Sequence, residues 1–309
     1  MIGHAVADAL GVPVEFRSRA SLAADPVDSM REYGTYGMPR GSWSDDTSMS
    51  LCALGGLGAD GIRYDVIMDN FARWYYDGEF TPTGVLFDIG STCRYAIENY
   101  CEYGLPLPLC GAIDVRSNGN GSLMRIHPFV LYTYRQDKPL GEKLEIIETA
   151  STLTHAHPRS RLACGVYAFV LWELLSCPTP ESVREGLEKA REYYKHHPEI
   201  HHLARLFDRI AGLSKYNSTL PVLISEIKSD GYVIHSLEAA IWCLLTTDSY
   251  SSCVLRAVNL GEDTDTVAAI AGGLAGALYG YAAIPQGWRE ALLRLDFIEE
   301  LCEQTFGIL

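Results

Sequence analysis

The chain has 309 residues, of which 48% are hydrophobic and 21% are charged, a composition typical of a folded protein with a large core. Its formal net charge of −14 and the lack of any long basic run argue against nucleic acid as a partner and favour a protein that binds cations. The nine cysteines are odd in number, scattered and never in a C-x-x-C pattern, which indicates neither a disulfide framework nor a thiolate zinc site. They predict a reducing, cytoplasmic location.

The N-terminal segment is apolar, but it lacks the basic start and the cleavage site of a signal peptide and carries an acid in its middle. Its pattern predicts a short helix over Ile2–Leu10 that stops at Gly11 and Pro13. Asp8 and Glu15 are therefore acidic residues within or beside an apolar segment. Taken alone, a solvated helix end and a surface glutamate are the simpler interpretations.

A cluster of acids and hydroxyls, SDDTS from Ser44 to Ser48, leads directly into the apolar stretch Met49–Leu57. Such residues are preferred helix caps, so capping is one interpretation. Capping needs only one or two of them, however, and a second cluster of the same kind follows near the C-terminus. The sequence therefore favours a metal site at this helix start over capping alone.

The stretch CGAIDVRSNGNGS, residues 110–122, is irregular. Gly119 and Gly121 are flanked by polar residues and could turn backbone N–H groups toward an anion such as a pyrophosphate. An ordinary turn is the commoner explanation of a glycine-rich loop. The segment that starts at Leu123 is too short for a Rossmann or P-loop helix, and no G-K-S or G-K-T follows.

Apolar residues recur at helical spacing along most of the remaining chain. The predicted helices cover Tyr64–Tyr76, Ile89–Tyr100, Leu144–Leu153, Leu162–Leu175, Pro180–Tyr194, Leu203–Leu213, Ser236–Leu245 and Ser251–Leu260. His155 and His157 in the segment THAHP lack the third nitrogen or thiolate that zinc needs, so a ligand contact or a structural role is favoured. The polar segment KHHPEIHH, residues 195–202, indicates a solvated connector.

The segment Val267–Ile284 contains no charged residue and no proline, and predicts a helix that is buried on all sides. Gly272, Gly276 and Gly280 recur every fourth residue, so they would share one face and let a neighbouring backbone approach. A membrane span with a small-residue face is the alternative, but the segment is mostly Ala and Gly rather than strongly apolar. A central packing helix is therefore predicted.

Asp263, Asp265 and Thr266 open this helix. The side chains of residues 263 and 265 would diverge in a regular helix, so they converge only if the helix starts irregularly. Converging carboxylates and a hydroxyl form an all-oxygen site of the kind that Mg²⁺ occupies. The two acidic helix starts make sense together if they face each other across one site.

No stretch shows sustained strand alternation, and no repeat or low-complexity linker divides the chain. The sequence therefore predicts one all-α domain over residues 1–309.

The chain contains, in order, six recognisable segments: ADALGVPVEF, GSWSDDTSMSLC, FDIGSTCRYAI, NGNGSLMRIHP, THAHP and NLGEDTDTVAAIAGGLAGALYG. Together they resemble the ADP-ribosylglycohydrolase family over most of the chain, with residues 185–221 the least characteristic part. The resemblance implies an orthogonal bundle of helices with two Mg²⁺ (or Mn²⁺) ions in a central cleft. It also implies an enzyme whose substrate is an ADP-ribosylated protein or small molecule.

The resemblance implies roles for individual residues. The metal ligands would be Ser44, Asp45, Asp46, Asp263, Asp265 and Thr266. The substrate-binding residues would be Asp8, Asn118, Gly119, Gly121, Ser122, Met124 and His155. Glu15 would act near the scissile ribose, with Asp46 and Asp263 as further catalytic residues. Three positions depart from the usual pattern: Ala7 replaces a glycine, Ser44 replaces a threonine but keeps the hydroxyl, and Glu262 replaces a glycine and adds a carboxylate.

The predicted activity is Mg²⁺-dependent hydrolysis of the bond between C1″ of ADP-ribose and an arginine- or serine-linked acceptor. The run from Asp263 to Val267 imitates the nucleophile motif of haloacid-dehalogenase phosphatases. That motif must end a buried strand, and residues 257–262 are too short and too broken by Asn and Gly to form one. A catalytically silent ADP-ribose-binding or crystallin-like protein on the same fold is the second hypothesis, which the retained aspartates disfavour.

Overall fold

The computed structural model describes residues 1–203, 208–210, 212–213 and 224–307. These residues are mainly helical, as predicted, and their only strands form a short antiparallel hairpin that pairs Leu57 with Ile62 and Gly58 with Gly61. The α-helices are α1 (Ile2–Gly11), α2 (Arg19–Ala24), α3 (Asp45–Leu54), α4 (Tyr64–Asp77), α5 (Ser91–Cys101), α6 (His127–Tyr134), α7 (Leu140–Thr152), α8 (Pro158–Ser176), α9 (Pro180–Lys195), α10 (Val233–Leu245), α11 (Tyr250–Val258), α12 (Thr264–Tyr279), α13 (Gln286–Ala291) and α14 (Leu295–Phe306). Short 3-10 helices cover Val12–Val14, Leu107–Leu109, His201–Leu203, Ile224–Glu226 and Tyr281–Ala283.

Helix α12 is the central packing element, as the sequence predicts. It is buried over most of its length and packs along α1, with α10 and α11 on other sides. The two helices approach closely because small residues meet: a Cβ added at Gly272 would lie 2.3 Å from Ala7 Cβ and 2.5 Å from Gly3 O. At this spacing any side chain larger than hydrogen would push the helices apart.

The predicted end of this helix is wrong. Helix α12 stops at Tyr279, because Gly280 adopts φ 81° and ψ 166°, a conformation that only glycine reaches without strain. Gly280 therefore ends the helix instead of contributing to its packing face. The helix also begins at Thr264, three residues before the apolar run, so the acidic residues belong to its first turn and N-cap.

Most other predicted helices are present with shifted ends. The helices α2, α6, α13 and α14 were not predicted, because three of them are short and the last is amphipathic over only three turns. The predicted helix over Leu203–Leu213 lies largely outside the described residues. None of the nine cysteines is disulfide-bonded, as expected. Among the described helices, none combines the length and apolar character that crossing a membrane requires.

Candidate active site

The two acidic helix starts lie against each other. Asp46 is in the first turn of α3, Thr266 is in the first turn of α12, and Thr266 Oγ1 donates to Asp46 Oδ2 across 3.1 Å. Asp263 is the N-cap of α12 with φ −91° and ψ 75°, so this helix does start irregularly. One carboxylate oxygen each of Glu15, Asp263 and Asp265 lie within 4.8 Å of one another. The predicted convergence of the two clusters is confirmed.

Asp8 holds the start of α3 in place. Its Oδ1 accepts hydrogen bonds from Ser44 N at 3.0 Å and Ser44 Oγ at 2.9 Å, and its Oδ2 accepts from Thr47 N at 3.1 Å and Thr47 Oγ1 at 2.6 Å. The side chain is fully buried. Burial raises the pKa of Asp8 to about 6, although these hydrogen bonds oppose the shift. Asp8 was predicted to bind substrate, but the structure places it behind the site as the cap of α3.

The carboxylates of the site are crowded and poorly neutralised. Burial, followed by the charges of neighbouring carboxylates, raises the pKa values of Asp45, Asp46 and Asp265 well above their ordinary range. Asp46 Oδ1 and Asp265 Oδ2 are buried and accept no hydrogen bond from the described part of the chain. Unpartnered buried oxygens are rare and demand an explanation. Hard oxygen donors in this arrangement fit divalent cations such as Mg²⁺.

Glu15 follows the 3-10 helix Val12–Val14 and points into the same cluster. Its side chain is buried, and Glu15 Oε2 accepts a 2.5 Å hydrogen bond from Tyr36 Oη. Burial, followed by the charge of Asp88, raises the pKa of Glu15 to about 9. Asp88 itself has its pKa raised to about 6 by burial, while a hydrogen bond with Tyr36 opposes the shift. The site therefore contains a further carboxylate and a tyrosine.

The sequence reasoning missed both Tyr36 and Asp88. Asp88 could have been identified from the sequence. It lies three residues before Ser91, where α5 begins, so it is an acidic residue just before a helix, as in the two clusters that were recognised. Tyr36 had none, because it lies in a loop rich in Gly, Pro and Tyr whose path is set by distant contacts. One such contact is the hydrogen bond from Thr35 Oγ1 to Glu15 O at 2.8 Å.

The glycine loop, residues 118–122, borders the cluster. Two backbone hydrogen bonds fix it to the start of α10, from Val233 N to Asn118 O and from Asn120 N to Gly231 O, both at 3.1 Å. Asn120 Nδ2 donates to Asp263 Oδ2 at 2.7 Å and so joins the loop to the cluster. The backbone N–H groups of residues 119, 121 and 122 donate to none of the described residues. They form a set of free donors of the kind that binds anions.

Not every predicted substrate-binding side chain of this loop is available to a ligand. Asn118 Nδ2 donates to Val115 O at 2.7 Å, and Ser122 Oγ accepts from Ser151 Oγ at 2.9 Å. Met124 belongs to the hydrophobic core. These three side chains stabilise the loop, so that any role in binding comes from the backbone that they support.

The two histidines of THAHP have different roles. His157 Nδ1 accepts from Arg159 N at 3.1 Å and caps α8, which is a structural role. His155 is buried, and its Nδ1 lies 2.8 Å from Thr154 Oγ1. Its ring faces the glycine loop, since a Cβ added at Gly121 would lie 2.9 Å from His155 Cε1. His155 is therefore beside the predicted anion site, whereas the observed role of His157 is to cap α8.

Comparisons with known proteins identify the family of the chain. A sequence model of the ADP-ribosylglycohydrolase family matches residues 1–309. The ADP-ribosylarginine hydrolase Tri1 of Serratia proteamaculans is 33% identical over 307 residues, which cover 99% of this chain and 77% of that protein. The ADP-ribosyl-dinitrogen reductase glycohydrolase of Rhodospirillum rubrum is 30% identical over 305 residues, covering 94% of this chain and 88% of that protein.

A solved structure described as an ADP-ribosylglycohydrolase-related protein complex superimposes with a TM-score of 0.78 at 30% identity, covering 99% of this chain and 95% of the other. Sequence and structure thus agree over nearly the whole chain. The chain belongs to the ADP-ribosylglycohydrolase family and is a glycohydrolase that acts on ADP-ribosylated acceptors.

Proposed function

We propose that the protein hydrolyses the bond between C1″ of ADP-ribose and the guanidinium group of an ADP-ribosylated arginine, and that it requires two divalent cations. The observation that carries this proposal is the cluster of buried carboxylates, two of whose oxygens are unpartnered, beside a loop with free backbone donors. The cluster suits cations and the loop suits a diphosphate. One substrate, ADP-ribose, offers both the diphosphate and ribose hydroxyls that cations can orient.

The cation ligands would be the residues of the two helix starts. They are Ser44, Asp45, Asp46, Asp263, Asp265 and Thr266. When bound, two Mg²⁺ or Mn²⁺ ions would neutralise these carboxylates, orient hydroxyl groups and lower the pKa of a water molecule. The structure supports this set because the donors are all oxygen and because two of them, Asp46 Oδ1 and Asp265 Oδ2, have no hydrogen-bond partner among the described residues.

The protein's own residues would position the substrate and move protons. Tyr36 Oη holds Glu15 Oε2, and the Glu15 carboxylate lies beside Asp263 and Asp265, where it could transfer a proton to or from the reacting groups. Asn120 joins the glycine loop to Asp263, so the loop N–H groups that would bind the diphosphate keep a fixed distance from the carboxylates. This arrangement would hold the diphosphate at one end and the scissile ribose at the other.

An arginine acceptor fits the electrostatics of the site. A guanidinium group is a cation, and Glu15 and Asp88, which are not among the proposed cation ligands, add carboxyl groups at the site on a chain of net charge −14. Two relatives are named ADP-ribosylarginine hydrolases. A serine linkage would present no such charge, so the acidic surroundings give it no advantage.

We also propose that residues 1–309 form one domain and act in the cytoplasm. The N-terminal helix α1 is tied to the C-terminal part of the chain, as shown by the 2.5 Å hydrogen bond from Tyr250 Oη to Gly3 O. Nine free cysteines suit a reducing compartment.

The test is turnover of mono-ADP-ribosylated arginine and serine peptides side by side, with Mg²⁺ and after chelation. We expect release of ADP-ribose from the arginine peptide only, and only with the cation present. Binding of free ADP-ribose without any turnover would instead support the catalytically silent alternative. Turnover that survives chelation would refute the cation requirement.

A further inference from the structure

Arg125 is a buried cation without a carboxylate partner. It is fully buried at the end of the segment NGNGSLMR, and its guanidinium lies over the Phe71 ring at 5.0 Å. Its Nη2 donates to Thr154 Oγ1 at 2.8 Å and to Ala150 O at 3.1 Å. Among the described residues no carboxylate pairs with it, and Nε and Nη1 have no hydrogen-bond partner. Burying a charge in this way is costly, so a function for it is expected.

The hydrogen bond from Arg125 favours donation by the Thr154 hydroxyl to His155. Thr154 Oγ1 accepts from Arg125 and lies 2.8 Å from His155 Nδ1. A hydroxyl has one proton, and a cationic donor on its oxygen makes that proton a better donor. Donation of this proton to Nδ1 requires that Nδ1 be unprotonated. The ring proton of His155 then resides on Nε2.

The backbone around His155 is rigid enough to keep this geometry. His155 N donates to Ser151 O at 2.8 Å, and the strand-like bridge with Ala112 adds hydrogen bonds from Ala112 N to Thr154 O and from Ala156 N to Ala112 O, both at 2.9 Å. Burial, followed by the charge of Arg125, lowers the pKa of His155 to about 3. The ring is therefore neutral and has a single N–H to offer.

The other ring nitrogen faces the glycine loop. A Cβ added at Gly119 would lie 3.6 Å from His155 Nε2, and one added at Gly121 would lie 3.5 Å from it. Within the described part of the chain, Nε2 makes no hydrogen bond. It is not fully buried, so a ligand can reach it. An N–H at Nε2 would thus extend the set of free donors that the loop backbone presents.

We infer that Arg125 and Thr154 are positioning residues that hold His155 in its Nε2–H form, so that the ring donates a hydrogen bond to a diphosphate oxygen of ADP-ribose at the glycine loop. The identity of the ligand rests on the proposed function. The tautomer is a property of the free protein and is tested without any ligand.

The first test is the nitrogen NMR spectrum of protein labelled with ¹⁵N-histidine, with His155→Gln used to assign the His155 signals. We expect Nε2 to appear as the protonated nitrogen and Nδ1 as the unprotonated one. Thr154→Ser should preserve this pattern, and Thr154→Val should mix the two forms. A protonated Nδ1 in the unsubstituted protein would overturn the inference, whether or not the Val variant folds.

The second test is the affinity for ADP-ribose, measured calorimetrically. In His155→Gln the side-chain amide reaches the place of Nε2, whereas in His155→Asn it reaches only the place of Nδ1. We expect His155→Gln to retain most of the affinity and His155→Asn to lose about tenfold or more, as for one hydrogen bond to a charged oxygen. Thr154→Val should lose affinity and Thr154→Ser should not.

The two tests separate the inference from the proposed function. Equal affinities for the Gln and Asn variants would refute donation from Nε2. If the unsubstituted protein failed to bind ADP-ribose while showing the expected tautomer, the proposed ligand would be wrong and the inferred tautomer of His155 would stand.

Discussion

Thr266 Oγ1 donates a hydrogen bond to Asp46 Oδ2 across 3.1 Å, although the two residues are separated by 220 positions in the chain. The start of α3 is already capped by Asp8, whose carboxylate accepts from Ser44 and Thr47. Asp46 is therefore not needed as a cap. The surplus of carboxylates at the two helix starts is best explained as a binding site that both helices share.

We expect the purified protein to bind two divalent cations, since buried carboxylates that repel one another are stabilised by opposite charge. Calorimetric titration with Mg²⁺ and Mn²⁺ measures the number of sites. At about 100 times the Kd, a bound ion should add about 2.7 kcal/mol to the free energy of unfolding, so a chelator should lower the Tm. A Tm that is unaffected by the chelator would contradict the predicted stabilisation.

Asp46→Asn and Asp263→Asn should each abolish hydrolysis and leave the fold intact. The amide preserves the shape of the side chain but removes the charge that would hold a cation. Activity on an ADP-ribosylated arginine peptide and circular dichroism are the measurements. Asp60→Asn, at an exposed position in the loop of the hairpin, is the matched control and should keep full activity. Full activity in either site variant would remove that residue from the site.

Glu15→Gln should lower kcat strongly and leave the affinity for ADP-ribose within about tenfold, a difference of about 1.4 kcal/mol. The reason is that Glu15 follows a 3-10 helix and is directed at the cluster. There its main role would be proton transfer rather than binding of ADP-ribose. Tyr36→Phe, which releases Glu15 Oε2, should reduce kcat in the same direction. Loss of affinity with an unchanged kcat would instead make Glu15 a binding residue.

Glu262→Gly should stabilise the protein. Glu262 has φ 62°, in the left-handed region, and its backbone is held there by hydrogen bonds from Phe16 N at 2.7 Å and to Arg17 O at 2.8 Å. Glycine removes a backbone strain of about 1–2 kcal/mol. It also gives the unfolded chain more conformational freedom, which offsets part of this gain, so we expect the free energy of unfolding to rise by about 1 kcal/mol. Glu262→Ala, which removes the carboxylate and keeps the strain, is the control for the Tm measurement. Equal Tm changes in the two variants would show that charge, not strain, is responsible.

His155 should contribute a loss of stability on acidification, opposite in sign to the contribution of the site carboxylates, whose pKa values are raised. Its pKa is lowered to about 3 in the folded protein, whereas the unfolded chain takes up a proton near its ordinary value. The folded pKa is the lower one, so the contribution of His155 is present above pH ~6.5 and is lost as the pH falls toward 3, by up to about 1.4 kcal/mol per pH unit.

Urea unfolding at pH 7 and pH 5.5 tests this pH dependence. We expect His155→Gln to lose less stability between the two pH values than the unsubstituted protein. His196→Gln, at an exposed position, should not alter the difference. If the free energies of unfolding at pH 7 and pH 5.5 differed by the same amount in His155→Gln as in the unsubstituted protein, His155 would be excluded as a source of the pH dependence.

The sequence alone determined the helical class, the position of the central helix and the residue types of the site. These features are local. The spacing of apolar residues in the segment after Asp263 indicates a buried helix, and acids next to hydroxyls mark a helix start. Because small residues at Gly3, Ala7 and Gly272 permit close packing, the contact of α1 with α12 is also encoded in residue size.

The tertiary structure decided how each polar residue is used. Asp8 and Asp46 are both acids next to apolar helices, yet one caps α3 and the other is left with an unpartnered oxygen. Tyr36 and Asp88 reach the site from separate loops, and Arg125 acts on His155 only because the two segments fold together. Sequence patterns report periodicity along one element, whereas the partner of a buried polar group depends on which distant segment packs against it. That choice is made by the packing of the whole core.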